Sequence, residues 1–250
     1  MNLRFTLTAP SSGEPPDVAG IQAETIAPAR RTRHRWLWVT LVLAAFMLAW
    51  AGRGILLAGM GRLLVAEDPL EPVEMIVVSD ADPLAGALEA GRLYQAGISR
   101  QIGLLAAEPD PVDDQIRALG IPRLEPTGML RWILDRSGVP ASAMQDLPGT
   151  VDGTETEIGV VAAFAREHKP SSLLFLTART HSARARRLLR RQLPAETRVN
   201  VRSPRTDTFA ADSWWSSREQ SREVLIEYLH WLNTFVLGDL WGKGAAHEGA

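Results

Sequence analysis

Three short stretches carry polar side chains where an apolar run gives way to helical spacing. The first is Ser79, Asp80 and Asp82, the second Thr154 and Glu157, the third Thr177, Thr180, His181 and Arg184. Carboxylates beside one histidine suit acid/base work or a divalent cation. An arginine at the start of a helix suits a phosphate or carboxylate, because free N–H groups and the helix dipole favour an anion there. The spacing therefore assigns acid and base to His181 and Glu157, the anion to Arg184 and the N–H groups around His181, and a cation or sugar hydroxyl to Asp80 with Asp82. Each group has a plainer reading. Asp and Thr near helix starts are caps, Thr154 and Glu157 stand at capping-box spacing, and Ser182–Arg191 reads equally as a solvated Arg-rich face behind a partly packed histidine. Trp214 and Trp215 either stack a sugar or base, or pack the last helix on the sheet.

For these groups to meet, separate strands must deliver them to one rim. Met75–Val78, Ile102–Ala107 and Leu173–Leu176 are apolar runs of strand length, Ala143–Leu147 is a weaker one, and Arg198–Arg202 alternates. Between them lie helical patterns at Leu84–Gln95, with Leu84, Leu88 and Gly91 on one face, at Thr127–Ser137, at Asp152–His168, and from His181 onward. Pro109–Pro126 reads as a helix and loop insertion. Trp214–Val236 closes the chain, with Leu225, Tyr228, Leu229, Leu232 and Val236 as its expected inner face. Strands spaced by helices predict an α/β fold with a mainly parallel sheet and right-handed crossovers. In such sheets ligands sit beyond the carboxyl ends of the strands.

Residues 1–35 lack apolar periodicity, carry the breakers Pro10, Ser11, Ser12, Gly13, Pro15 and Pro16, and end in a cluster of Arg residues, so a disordered tail is expected. The uncharged run Trp36–Gly52 follows, and apolar residues continue to Leu57. Its length, its Trp residues at both ends and the preceding Arg cluster predict a membrane span over 36–57 with the tail inside and the remainder outside. A buried core helix and a signal peptide cleaved after Ala49-Trp50-Ala51 are the competing readings. A globular domain is expected over 66–240, with 241–250 a flexible end.

The net charge is −2 with a pI near 6.2, which argues against wholesale nucleic-acid binding. The charges are polarised: Glu67–Glu89 holds seven carboxylates and no Lys or Arg, whereas Arg179–Arg205 holds nine Arg and one acid. Opposite poles either pair within a fold or focus a field at a cleft. Cysteine is absent, so there are no disulfides, thiol nucleophiles or Cys-type zinc sites. No G-x-G-x-x-G follows the first strand, and P-loop, H-E-x-x-H and G-x-S-x-G patterns are missing.

From about Pro69 to Leu237 the chain resembles the SanA/ElyC/YdcF-like family, a bacterial domain of unknown function. The resemblance rests on VEMIVVSDAD, EAGRLYQAGISRQI, SGVP, DGTETE, LLFLTARTHSARARRLL, and a late SWW followed by a Glu-bearing helix. It implies a Rossmann-like three-layer domain, held outside the cytoplasmic membrane in anchored members and linked to envelope integrity and to peptidoglycan-precursor or surface-polymer processes. One cytosolic-type member is associated with S-adenosylmethionine. Thr154 and Glu157 match the family's Thr-x-x-Glu element, His181 and Arg184 its His-x-x-Arg element, and Trp214 or Trp215 its late tryptophan. The usual glycine-containing turn after the first strand is replaced by Ser79-Asp80-Ala81-Asp82. The resulting expectation is a single-pass envelope protein that binds or processes an anionic, phosphorylated or lipid-linked glycan precursor. Its partners would be the bilayer and that ligand; protein partners and any cofactor stay open, a divalent cation being compatible. A non-catalytic assembly factor and a nucleotide-type, S-adenosylmethionine-like ligand domain are the alternatives.

Overall fold

A computed structural model describes residues 30–122 and 125–237. The tails expected over 1–35 and 241–250 lie outside the described residues, except that 30–35 already belong to a helix. That helix, α1 (Arg30–Leu63), is followed by β1 (Met75–Val78), α2 (Pro83–Gln95), β2 (Ile102–Ala107), α3 (Pro111–Ala118), α4 (Gly128–Arg136), β3 (Met144–Val151), α5 (Thr154–His168), β4 (Ser172–Leu176), α6 (Ser182–Gln192), β5 (Arg198–Arg202) and α7 (Arg218–Leu232). The chain divides into two units at Trp50 and Ala51.

In the first unit α1 exposes Trp36, Leu37, Trp38, Leu41, Phe46 and Trp50. By length and composition the helix from Arg35 to Leu63 is able to cross a membrane, and almost none of its most apolar stretch is buried. α1 continues beyond the span expected over 36–57 to Leu63, and the reason lies within the second unit. Leu57, Met60 and Leu64 pack with Phe209, Trp214 and Val224. Trp214 Nε1 donates to the Leu57 carbonyl at 2.7 Å, and Tyr228 Oη donates to that of Met60 at 2.8 Å. The approach is close enough that a Cβ on Gly61 would lie 2.2 Å from the Ala211 carbonyl oxygen.

The second unit is built on an all-parallel sheet of order β3-β2-β1-β4-β5. Alternation along β1 explains the three layers. Ile76 and Val78 face a cluster completed by Ala87, Ala90 and Leu93 of α2 and Leu130 and Leu134 of α4. Met75 and Val77 face the opposite cluster, with Ile158, Val161 and Phe164 of α5 and Ala185, Leu188 and Leu189 of α6. β3 extends past the expected Leu147 to Val151.

Two expected helix faces are corrected. Leu84 and Leu88 of α2 are exposed, and the helix meets the sheet through Gly86, Ala87 and Ala90. The spacing allows nothing larger: a Cβ on Gly86 would lie 2.8 Å from Val78 Cγ1. On α7, Leu225, Leu229 and Leu232 are exposed while Val224 and Glu227 are buried and Tyr228 is partly so. The Val236 side chain lies outside the described residues. The two charged poles meet within this unit. Asp68 pairs with Arg186 at 2.9 Å and Arg190 at 3.7 Å, Glu67 with Arg202 at 3.7 Å, and Glu71 with Arg198 at 3.1 Å. Much of the charge polarity is therefore used to fix the segment preceding β1 against β5 and α6.

Candidate functional site

Chain progression runs outward from β1 to β3 on one side of the sheet and then from β4 to β5 on the other. β1 and β4 thus flank the topological switch point, where open parallel sheets leave a crevice. Val78 is in register with Leu176, and Ser79 N–H donates to the Leu176 carbonyl at 2.9 Å. The residues just beyond both strands are therefore neighbours. Thr177 Oγ1 lies 3.3 Å from Ser79 Oγ, and Ser79 Oγ lies 2.9 and 3.0 Å from the two oxygens of Glu157, which is 2 % exposed. Glu157 also accepts the Asp80 N–H. A carboxylate on the first turn of α5 thus holds the turn that follows β1.

A cavity of about 370 Å³ opens above this turn, lined by Asp80, Glu157, His181 and Arg184 together with Gly153–Thr156 at the start of α5. The three strand-to-helix groups therefore meet at one mouth. Burial pushes the Glu157 carboxyl up despite its bonds to Asp80 N–H and Ser79, with the Asp80 charge adding to the rise and His181 opposing it. Burial also raises Asp80.

Arg184 is 2 % exposed. Its Nε and Nη2 donate to Glu227 at 2.6 and 3.0 Å, a bidentate pair between buried groups. Glu227 Oε2 lies 3.0 Å from His181 Nδ1. Arg184 Nη2 stands 3.2 Å from the same Nδ1, so this nitrogen sits between a carboxylate that only accepts and a guanidinium that only donates, while Nε2 has no such partner among the described residues. Burial alone would raise Glu227, but the bonds from His181 and Arg184 outweigh it and hold the carboxyl below its usual range. The third arginine nitrogen, Nη1, is buried without a hydrogen bond. Its nearest ionic neighbour is Glu155 Oε1 at 3.8 Å, on a side chain 53 % exposed. Glu155 also accepts a hydrogen bond from Thr234 Oγ1. The N–H groups of Thr154, Glu155 and Thr156 have no carbonyl to meet inside α5, and the Thr154 side chain makes no hydrogen bond among the described residues. This corner is an unfilled set of donors.

Not every expected residue shares that cavity. Asp82 and Thr180 line a second one, of about 490 Å³, which also has His181 in its wall. Asp80 and Asp82 therefore face different spaces and do not form one cation site. Among the described residues no three His, Asp or Glu side chains gather to hold a metal. Ser79 and Thr177 lie beneath the first cavity as support. Trp214 lines neither: it is 5 % exposed and packs against Leu64, Phe209 and Val224, with its N–H turned to Leu57. Glu227, Glu155 and His230 went unrecognised in the sequence. The available signal was the spacing Val224-Glu227-Tyr228-Trp231, a helical stripe with one carboxylate facing the Arg-rich α6.

No family model matches the chain, and neither the curated proteins nor the solved structures yield a match.

Proposed function

We propose that this is a single-pass envelope protein of the SanA/ElyC/YdcF-like type, with its tail in the cytoplasm and its α/β domain outside. In this reading the domain binds, and with His181 and Glu157 processes, an anionic glycan precursor that is phosphorylated or lipid-linked. The observation that carries it is Arg184 Nη1, a buried and unbonded cationic donor beside the open N-terminus of α5. A buried donor left unmade costs about 1–3 kcal/mol, and a phosphate or carboxylate oxygen would remove that cost. The apolar helix α1 supports a membrane location, where polyprenyl-linked sugars are found.

Arg184 is tied to Glu227, so the test acts on Glu155. The full chain in detergent micelles is titrated with a short-chain polyprenyl phosphate and with the uncharged alcohol. Glu155→Gln removes a negative charge from the mouth and is expected to tighten phosphate binding by about 3- to 10-fold, one like-charge contact screened by water as befits a half-exposed side chain. Binding of the alcohol should not change. Weaker or unchanged phosphate binding in Glu155→Gln would contradict the assignment.

A further inference from the structure

The second cavity has the opposite character to the unfilled donor corner. Asp82, Asp207, Glu219 and Glu223 line it, along with Thr180. None of the four carboxylates has a salt bridge among the described residues. Asp207 is held in place in this wall by the N–H groups of Arg179 at 2.7 Å and Phe209 at 2.8 Å. Thr180 is 3 % exposed, and its hydroxyl has no hydrogen-bond partner among the described residues. A buried residue whose hydroxyl opens without a protein partner onto a cavity of about 490 Å³ marks a place for a ligand group. The carboxylates repel one another. Burial first and then Asp207 raise Asp82, with the Ala85 N–H opposing; burial, Asp207 and Glu219 raise Glu223, with His181 and Arg222 opposing. A compact cation with several donors would reverse that repulsion, and no metal-type cluster competes for the role among the described residues.

His181 and Ala81 are shared by both cavities. From this we infer that the two cavities are subsites for one zwitterionic ligand, a phosphate ester carrying a primary ammonium group, of the amino-sugar phosphate class. The phosphate lies at Arg184 Nη1 and the α5 N-terminus. The ammonium lies among Asp82, Glu219 and Glu223 with Thr180 as an added acceptor, and the connecting portion crosses His181. The inference rests on the anion reading of the first cavity but is separable from it.

The full chain in detergent micelles is titrated calorimetrically with inorganic phosphate, glucose 6-phosphate, glucosamine 6-phosphate, phosphoethanolamine and glucosamine. Glucosamine 6-phosphate is expected to bind at least about 10-fold tighter than glucose 6-phosphate, the factor for one charge-assisted hydrogen bond. In the Glu219→Gln/Glu223→Gln double variant that preference should vanish, with inorganic phosphate affinity held within about twofold. A preference for phosphoethanolamine over glucosamine 6-phosphate would assign the site to a lipid headgroup and overturn the sugar. Equal binding of the two hexose phosphates, or a preference that survives the double variant, would overturn the ammonium subsite. If no phosphate ester binds, the first cavity is misread, and glucosamine alone decides: binding lost in the double variant sustains the second subsite, and no binding overturns it.

Discussion

Arg184→Met is expected to destabilise the folded domain by about 3–5 kcal/mol, because it leaves the Glu227 carboxylate buried without its partner. Glu227 is 1 % exposed and Arg184 2 %, so each loses its main ionic partner in a desolvated setting, Glu227 keeping only His181 Nδ1 at 3.0 Å. Glu227→Leu alone should cost a similar amount, stranding Arg184 and releasing His181 Nδ1. The double variant Arg184→Met/Glu227→Leu should recover most of the loss, since an apolar pair of similar volume avoids both desolvation penalties. Urea unfolding of the full chain in micelles measures all three. The double variant separates stability from function: it should fold and yet have lost the anion site. The pH dependence has a definite sign. Glu227 is held below its unfolded value, so its contribution is complete above the unfolded carboxylate range and is lost as pH falls through the lower folded value. The double variant should lack that acid-side loss.

The second large effect falls on Glu157. Glu157→Ala removes the acceptor for Ser79 Oγ–H and Asp80 N–H beneath the first cavity, and should cost about 2–4 kcal/mol for two buried donors left unmade. The turn after β1 would lose its tie to α5, so ligand binding should weaken as well. Glu157→Gln should behave differently. Its amide oxygen still accepts from Asp80 N–H, and its NH₂ has Ser79 Oγ as an acceptor. The wild-type carboxyl is raised in the fold, mainly by burial. Its stabilising protonated form is fully present below the unfolded value and is lost as pH rises through the folded one. Glu157→Gln should therefore match the wild type at low pH and exceed it at neutral pH, which denaturation at several pH values would show.

The fold was legible because strand-length apolar runs alternate with helical periods, and that pattern leaves little choice but a parallel sheet. The helix faces were less so. On α2 the larger residues Leu84 and Leu88 marked the wrong side, because close packing against Val78 and Ser137 selects Gly86, Ala87, Ala90 and Gly91. A hydrophobicity pattern weights size, whereas a tight helix–sheet contact excludes it. On α7 an exposed Leu ridge hid a buried Glu for a related reason: periodicity cannot register a carboxylate whose burial depends on an arginine more than forty positions away, here Arg184 to Glu227. At the site, the meeting of Asp80, Glu157 and His181 followed from topology, as each stands just past or at a strand-to-helix junction. Asp80 and Asp82, with only Ala81 between them, line different cavities, a distinction that residue spacing does not carry. The long-range pair also reassigns Arg184. Two of its three guanidinium nitrogens serve the fold, and only Nη1 remains for a ligand.

The claim on which the functional reading stands is that Nη1 and the start of α5 form an oxyanion-binding corner. Its most direct measurement is a crystal of the full chain soaked in tungstate, with anomalous difference density locating the anion. The account predicts one dominant peak within hydrogen-bond reach of Arg184 Nη1 and the N–H groups of Thr154–Thr156, absent in Arg184→Met/Glu227→Leu. A cavity empty of density while tungstate occupies other sites, or a peak there that persists in the double variant, would contradict it.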